Sequence, residues 1–402
     1  MSGTSMQPKS LNVILWSIFA AVTLITQNWY NFSAVLPILQ PLWNLTATQT
    51  GLIVAAFQLG YVISVLICSF FSDTHSPQKI FILGGLVSGI SSLAFVLLAN
   101  GFFSALILRF IVGIGMGGVF VPGVKIVSTI FPPEQRGKVV GLTVSAMALG
   151  SGVSIFYSGV FIAWFSWQAL MICTACGAIL GSWAVYRLGE LPIPTSKLAV
   201  SLALFKKLLN KPTLLINASY IGHMWELYTV WPWIGPFMVF VFATQGYDLK
   251  EAAMYGNTLG GISIIVGAIA TWIGGKLSDI YGRTKMIAVF LVGSTIISFA
   301  IGWMIHVPVG ILTIVVIAYG FLVVGDSPIL TATVADLSEP EIMGFTLGIQ
   351  SVVGYGITII SPAVFGIVLD TTLSWGWAFV SLGIGAAFGV VALFALRRVA
   401  DI

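Results

Sequence analysis

The stretch from Arg109 to Gly141, RFIVGIGMGGVFVPGVKIVSTIFPPEQRGKVVG, decides the fold because it joins a long apolar segment to a short polar turn. Its pattern recurs 207 positions later in the chain. Five pairs of residues share that offset: Gly113/Gly320, Pro133/Pro340, Glu134/Glu341, Gly137/Gly344 and Gly141/Gly348. Three more pairs recur at an offset of 206: Ser72/Ser278, Asp73/Asp279 and Lys79/Lys285. Repetition at a fixed spacing indicates a tandem duplication of one structural unit.

The composition places the chain in a membrane. Of its 402 residues, 58% are hydrophobic and only 7% are charged, and the mean hydropathy is +1.04. These values lie far outside the range of soluble globular domains. A membrane protein built from two like halves usually places its working site at their interface.

Twelve apolar stretches are long enough to cross a bilayer as helices. They lie near residues 11–39, 51–71, 79–99, 102–130, 138–163, 168–187, 213–243, 252–277, 285–305, 308–335, 344–368 and 376–396. The sequence therefore predicts a six-helix bundle over residues 1–188 and a second over 212–402. Residues 189–211 form a linker whose segment SLALFKKLLN is amphipathic and is expected to lie on the membrane surface.

The distribution of basic residues predicts the orientation, because cytoplasmic loops retain Lys and Arg. With both termini in the cytoplasm, 14 of the 17 basic residues lie on that side, and Lys250 alone lies outside. The other two, Arg109 and Lys125, fall within the membrane. The net charge of +4 thus reflects topology and not a nucleic-acid partner. We expect an integral protein of a bacterial or archaeal cytoplasmic membrane, functional as a monomer.

Polar residues interrupt the first predicted helix at its middle. Gln27 and Asn31 share one helical face, as residues i and i+4 do, which favours a helix that lines a central cavity. We therefore expect substrate contacts from Gln27, Asn28, Tyr30 and Asn31. The alternative is that these side chains form hydrogen bonds between helices and only hold the bundle together.

The turn from Gly275 to Lys285, GKLSDIYGRTK, resembles a loop signature of the major facilitator superfamily. The fourth span, with Arg109 followed by regularly spaced glycines, resembles a second signature of that family. In the first-half copy of the loop, Ser69 replaces the glycine, and Asp73 is followed by Thr74, His75, Ser76 and Pro77. The resemblance implies an all-α membrane fold of two pseudo-symmetric six-helix bundles. It also implies a gating or structural role for eight residues: Asp73, Arg109, Glu134, Arg136, Gly275, Asp279, Gly282 and Arg283.

Four ionisable residues are predicted inside the hydrocarbon layer: Arg109, Lys125, Glu226 and Asp326. Each costs about 2.5 to 3.5 kcal/mol at the centre of a span, so such residues usually serve function. Structural pairing of the two cations with the two acids is the alternative. On a straight helix Arg109 and Lys125 are about 160° apart, so we expect one of them to face the cavity. Arg109 is expected to bond helix one within its own half, and Lys125 is the candidate for an anionic substrate group.

Glu226, on the seventh span, is the candidate for proton coupling, because burial favours the neutral form of a carboxyl group that can load and release a proton. His223 shares its face and is expected to share that proton, and Asp326 on the tenth span is a further candidate for proton coupling or, alternatively, balances the charge of Lys125. Pro232 and Pro236 are expected to bend or loosen the outer end of the seventh span. Trp225, Trp233 and Tyr319 complete the predicted substrate contacts.

These features predict a proton-coupled secondary transporter, symporter or antiporter, that moves a small polar or organic-anion solute by rocker-switch alternation. The alternative is a proton-coupled multidrug exporter of lipophilic or cationic compounds, which the 13% aromatic content favours. A substrate-sensing receptor is a more distant alternative. No Ser/His/Asp or metal-ligand cluster is apparent in the sequence, so neither an enzyme, a cofactor nor a metal is expected.

Overall fold

The computed structural model describes residues 10–193, 210–338 and 343–399. Within these ranges the structure is helical and contains no strand. The helices are α1 (Leu11–Leu42), α2 (Ala47–Thr74), α3 (Pro77–Leu98), α4 (Phe102–Gly117), α5 (Phe120–Ile130), α6 (Pro133–Trp164), α7 (Trp167–Tyr186), α8 (Lys211–Thr244), α9 (Leu249–Tyr281), α10 (Arg283–Ile301), α11 (Val309–Gly325), α12 (Ser327–Asp336), α13 (Met343–Ile357), α14 (Ser361–Thr372) and α15 (Trp375–Leu396).

These helices form twelve membrane spans, which confirms the predicted number. Three spans consist of two consecutive helices: α4 with α5, α11 with α12, and α13 with α14. The spans alternate in direction, so one side of the bundle carries the start of α1 and the end of α15. We call this the terminus side and the opposite side the distal side.

The helix starts follow local capping chemistry. Thr46 and Gln49 form a capping box at the start of α2, and the side chain of Asp248 accepts from two backbone N–H groups at the start of α9. Such caps satisfy donors that the first turn of a helix leaves unpaired. Gly282 separates α9 from α10 at a φ of 90°, a conformation that glycine adopts readily.

The outer surface is apolar, as a lipid-facing surface must be. Leu97 and Phe103 are 81% and 76% exposed. One buried hydrophobic cluster extends through both halves of the chain. Between α2 and α4 the backbones approach so closely that a side chain at Gly113 would overlap the carbonyl of Phe57. Small residues permit this kind of helix packing in membranes.

The break in the fourth span is repeated in the tenth. The first break follows Gly118 at the end of α4 and the second follows Gly325 at the end of α11, 207 positions later. The duplication read from the sequence is therefore also present in the helix geometry. Asp326 stands at the second break, where Val119 stands at the first.

The two halves pack directly against each other on the distal side. The carboxylate of Asp370 accepts from the backbone N–H groups of Ala47 and Thr48, at 2.8 and 2.6 Å. Asn257 donates to the carbonyl of Ala34 at 2.8 Å. The distal side is thus closed by contacts that cross from one half to the other.

One expectation about local structure concerns the seventh span, and another concerns the linker. The seventh span, expected to bend or loosen at its prolines, continues as one helix through Pro232 and Pro236. Interruptions occur instead in three other spans. The amphipathic linker segment, together with Pro340 and Glu341, lies outside the described residues.

Candidate functional site

Arg109 is enclosed in the N-terminal half, where it binds the backbone of α1. Its Nη1 donates to the carbonyl of Asn28 at 2.8 Å, and its Nη2 donates to the carbonyl of Trp29 at 2.8 Å. The guanidinium group also lies 4.5 Å from the ring centroid of Phe57. This is the contact with helix one that the sequence led us to expect. Among the described side chains, no carboxylate forms an ion pair with Arg109.

Asn28 and Asn31 belong to the same network. Asn31 accepts from Arg109 at 3.1 Å and donates to the hydroxyl of Thr174 at 2.9 Å. Asn28 donates to the hydroxyl of Ser88 at 3.3 Å. Both amides are fully buried and tie α1 to α3, α4 and α7. Their geometry is that of hydrogen bonding between helices, the alternative left open by the sequence.

Glu226 is enclosed in the C-terminal half. Its carboxylate accepts from the hydroxyls of Ser294 and Ser298 at 2.8 and 2.6 Å and from the hydroxyl of Tyr319 at 3.2 Å. Ser298 and Tyr319 also hydrogen bond to each other. Hydroxyl groups can rotate to donate or accept, so this shell can serve either protonation state of the carboxyl group.

The two networks occupy related places in the repeats. Ser88, which binds Asn28 in the first half, lies 206 positions before Ser294, which binds Glu226 in the second. The central part of the first half therefore contains a buried cation, and the corresponding part of the second half contains a buried carboxyl group. The cation and the carboxyl group thus lie in different halves and do not neutralise each other as an ion pair.

A serine, a histidine and an aspartate meet beside Glu226, contrary to the expectation that no such cluster exists. The Nε2 atom of His223 lies 2.6 Å from the hydroxyl of Ser327, and its Nδ1 atom lies 2.9 Å from Oδ1 of Asp326. The packing of α8 against the break after α11 brings together residues about 100 positions apart, a proximity that no local pattern reveals.

The geometry of the cluster differs from that of a triad that activates a nucleophile. His223 and Asp326 are almost fully buried. The contact between them is close but lacks the alignment of a hydrogen bond. In a catalytic triad, such a hydrogen bond orients the imidazole. A histidine with oxygen atoms at both ring nitrogens can accept a proton on one side and release one on the other.

Six aromatic rings meet where the halves join at mid-depth. Trp29 lies 4.6 Å from Tyr61 between ring centroids, and Tyr61 lies 5.2 Å from Tyr355 of the other half. Tyr228 donates to the hydroxyl of Tyr355 at 3.2 Å. We call this set the aromatic layer; its members are Trp29, Tyr30, Tyr61, Tyr228, Trp231 and Tyr355.

Gln27 and Tyr30 differ from Asn28 and Asn31 in their surroundings. The ring of Tyr30 lies 5.6 Å from that of Trp231, across the boundary between the halves. Gln27 accepts from the hydroxyl of Tyr157 at 2.7 Å. Of the four polar residues of the first span, Tyr30 is therefore the one that contacts the other half.

Three further predicted substrate contacts lie inside the C-terminal half. Trp225 donates to the carbonyl of Ser381 at 3.1 Å, and Trp233 packs 4.9 Å from Phe365. Tyr319 belongs to the shell of Glu226. The structure does not bring these side chains to the aromatic layer.

Lys125 lies nearer the terminus side than we expected. It is five residues from the end of α5, and its Nζ donates to the carbonyl of Ser72 at 2.5 Å. Ser72 is eleven residues from Tyr61 along α2, which corresponds to about 16 Å. The fourth span is 29 residues long, so a residue near its end lies far from mid-depth. Arg109 and Lys125 also lie on two separate helices, α4 and α5, so the straight helix assumed for the angle of about 160° is not present.

The gating residues of the second half lie on the terminus side. Arg283 forms an ion pair with Asp336 at the end of α12, a partner that the sequence did not suggest. Gly275, Asp279 and Gly282 lie at the end of α9 and just beyond it. The side chains of Asp73 and Glu134 lie outside the described residues, and Arg136 is exposed.

Sequence reasoning missed several residues of the site. Four of them belong to the aromatic layer: Tyr61, Tyr228, Trp231 and the more exposed Tyr355. Gln58 is fully buried on α2 with neither amide atom hydrogen bonded. A buried glutamine in an apolar helix was the signal that could have identified it. Within the described parts of the chain, no group of acidic, His and Cys side chains could hold a metal.

Similar proteins include several bacterial transporters. A hexuronate transporter of Bacillus subtilis is 28% identical, with 96% of this chain and 94% of that protein covered. A probable sulfoacetate transporter of Cupriavidus necator is 24% identical, with 91% and 88% covered. A gentisate transporter of Corynebacterium glutamicum is 22% identical, with 89% and 81% covered.

Solved structures share the fold. A bacterial homologue of the lysosomal transporter Spinster, in an inward-facing and occupied conformation, matches with a TM-score of 0.77 at 16% identity and covers 96% of this chain and 97% of that one. A D-xylose-proton symporter matches with a TM-score of 0.75 at 17% identity and covers 98% of each chain. The sequence profile of the Major Facilitator Superfamily spans residues 18–362. With its duplicated twelve-span fold, the chain belongs to the Major Facilitator Superfamily.

Proposed function

We propose that this protein is a proton-coupled secondary active transporter of a small organic anion. It moves its solute between the halves 1–188 and 212–402 by rocker-switch alternation. The observation that carries the proposal is the buried Glu226, held by three hydroxyls and by no basic side chain among the described residues. A carboxyl group in such surroundings can exchange a proton without breaking an ion pair.

The path of the proton runs through the neighbouring cluster. Ser327 is half-buried, whereas His223 is fully buried. Ser327 therefore connects the more accessible end of the path to the imidazole. Asp326 and Glu226 are the acceptors beyond it. Protonation neutralises acids in the C-terminal half, while the anion approaches the N-terminal half. Proton binding and anion binding therefore favour each other electrostatically.

The charge distribution supports an anionic solute. The first half contains Arg109 within its membrane region, and its two acidic residues, Asp73 and Glu134, lie toward the terminus side, as does Glu190 just beyond that half. Hexuronate, sulfoacetate and gentisate, which name three similar transporters, are all organic anions. We therefore assign an organic anion to this protein as its substrate class.

The orientation follows the distribution of basic residues, with both termini in the cytoplasm. In that orientation, closure of the distal side by Asp370 and Asn257 corresponds to an inward-facing state. Arg283 and Asp336 belong to the cytoplasmic gate, which rearranges when the distal side opens.

A multidrug exporter of lipophilic cations is the second candidate. The aromatic layer favours it, because ring faces attract cations. Arg109 opposes it, because its positive charge stands directly behind Trp29 of that layer.

Flux in proteoliposomes tests the proposal. Glucuronate, sulfoacetate, gentisate and tetraphenylphosphonium serve as probes, with and without a pH gradient. We expect pH-driven flux of at least one anion, which Glu226→Gln abolishes while anion counterflow persists. Glu251→Gln, an exposed change at the start of α9, is the matched control. Flux of tetraphenylphosphonium alone would support the exporter, and anion flux that is indifferent to pH in the wild type would refute coupling.

A further inference from the structure

Unpaired donors gather in the aromatic layer. The indole N–H groups of Trp29 and Trp231 and the hydroxyl of Tyr30 are buried without hydrogen-bond partners among the described residues. Trp29 and Tyr30 are neighbours, with ring centroids 6.2 Å apart; their polar atoms lie near each other but do not meet hydrogen-bond geometry. Buried donors are almost always paired in folded proteins, so three unpaired donors in one layer indicate a binding function.

The three donors converge from both halves. Trp29 and Tyr30 lie at mid-depth on α1, and Trp231 lies on α8 with its ring 5.6 Å from Tyr30. A ligand that contacts all three would therefore join the halves at the level where the distal closure begins. Such a position is reached from either side in turn when the halves rock.

The chemistry of this layer selects among organic anions. Neutral N–H and O–H donors bind carboxylate oxygens, and ring faces bind planar apolar surfaces. Gln58, three residues before Tyr61 on α2, provides an amide with one buried acceptor. Donors thus exceed acceptors in the layer. A sugar acid would bring several hydroxyls, each of which also carries a donor that needs an acceptor, and no flat ring, whereas an aromatic carboxylate brings acceptors and a flat ring.

We propose that Trp29, Tyr30 and Trp231 form a recognition site for a small aromatic carboxylate. The carboxylate accepts from the three donors, and the ring packs among the side chains of the aromatic layer. This inference rests on the proposed function, of which it specifies the substrate class. It assigns recognition to the aromatic layer and not to Lys125, whose partner Ser72 lies about 16 Å from Tyr61 along α2.

Calorimetry on the full-length protein in detergent tests the site with three ligands: benzoate, cyclohexanecarboxylate and glucuronate. Benzoate and cyclohexanecarboxylate have the same charge and ring size, but only benzoate has a π face. We expect benzoate to bind about two- to twelvefold more tightly, the range of aromatic pair contributions. Glucuronate should bind more weakly than both. Equal binding of the first two, or tighter binding of glucuronate, would overturn the inference.

Trp231→Phe keeps a ring and removes the N–H group. Loss of one hydrogen bond to a charged group should weaken benzoate binding by about ten- to hundredfold. Trp183→Phe is the matched control, since Trp183 is 53% exposed on the lipid-facing surface of α7, and it should leave binding unchanged. Thermal unfolding of both variants checks that they fold. Unchanged binding in folded Trp231→Phe would overturn the inference.

The same preparations separate this inference from the proposed function. If reconstituted protein shows pH-driven glucuronate flux but does not bind benzoate, the transporter assignment stands and the aromatic site is refuted. If no organic anion is bound or transported, both fail.

Discussion

The carboxylate of Asp370, at the end of α14, accepts a hydrogen bond of 2.6 Å from the backbone N–H of Thr48, in the first turn of α2. The bond joins the two halves of the protein, and it places a negative charge at the N-terminus of a helix, where the helix dipole favours it. One residue thus caps a helix of the opposite half. Opening of the distal side must break this cap.

We predict that Asp370→Ala shifts the protein toward distal opening. Loss of a cap costs about 1 kcal/mol, so the open population should rise about fivefold. A cysteine at Ala55, which is buried on α2, would report the change through its rate of labelling by an impermeant maleimide. Asp248→Ala removes a cap within one half and should not raise the rate. Equal labelling in both variants would contradict the role of Asp370.

Glycines of the repeated motif should differ in their tolerance of alanine. A side chain at Gly113 or Gly320 would overlap a backbone carbonyl, of Phe57 or Ser263, whereas Gly141 and Gly348 have open space around the added atom. Overpacking costs about 1 to 3 kcal/mol. Thermal unfolding in detergent should show destabilisation of G113A and G320A, and little change or a small gain in G141A and G348A. Uniform effects in all four would indicate that helix contact is not the reason for the repeat.

Arg109 should not be replaceable by lysine. Its planar guanidinium group reaches the carbonyls of Asn28 and Trp29 and the amide of Asn31 at the same time, and a lysine cannot reproduce that fork. Loss of one charged hydrogen bond should lower the free energy of unfolding by about 1.5 to 3 kcal/mol. Arg187→Lys, at an exposed cation over Trp183, is the control and should be neutral. An Arg109→Lys variant as stable as wild type would show that the network is dispensable.

The fold could be predicted because its determinants are local or repeated. Hydropathy defines each span, and the offset of 207 positions between Gly113 and Gly320 defines the duplication. The breaks after Gly118 and Gly325 were not predicted, although Pro122 and Pro328 stand in the first turns of the helices that follow them. The prolines of α8 were the stronger local signal, and they are accommodated within one helix.

The candidate site was less predictable because charge and polarity do not show which way a side chain faces. Glu226, His223 and Asp326 were identified from the cost of burying them, and the structure places His223 against Asp326. Tyr61 and Tyr355 carried no such signal, because an aromatic residue in a membrane helix is ordinary. Their pairing across the halves at 5.2 Å results from the assembly of the two bundles.

Lys125 provides the last prediction, because the sequence and the structure suggest different roles for it. As an anion ligand, it would contribute a charged hydrogen bond, and its loss would weaken anion binding by at least about tenfold. In the structure its Nζ binds the carbonyl of Ser72 at 2.5 Å, within the last turn of α2. A cation there satisfies a terminal carbonyl and complements the helix dipole.

We therefore expect Lys125→Met to lower the free energy of unfolding by about 1 kcal/mol and to change the Kd of benzoate and of glucuronate less than threefold. Lys79→Met, which removes an exposed cation on the same side, is the control for net charge and should change neither quantity. Calorimetry and thermal unfolding measure both effects on one preparation. A tenfold loss of anion affinity with unchanged stability would restore Lys125 as a ligand and place the anion on the terminus side of the aromatic layer.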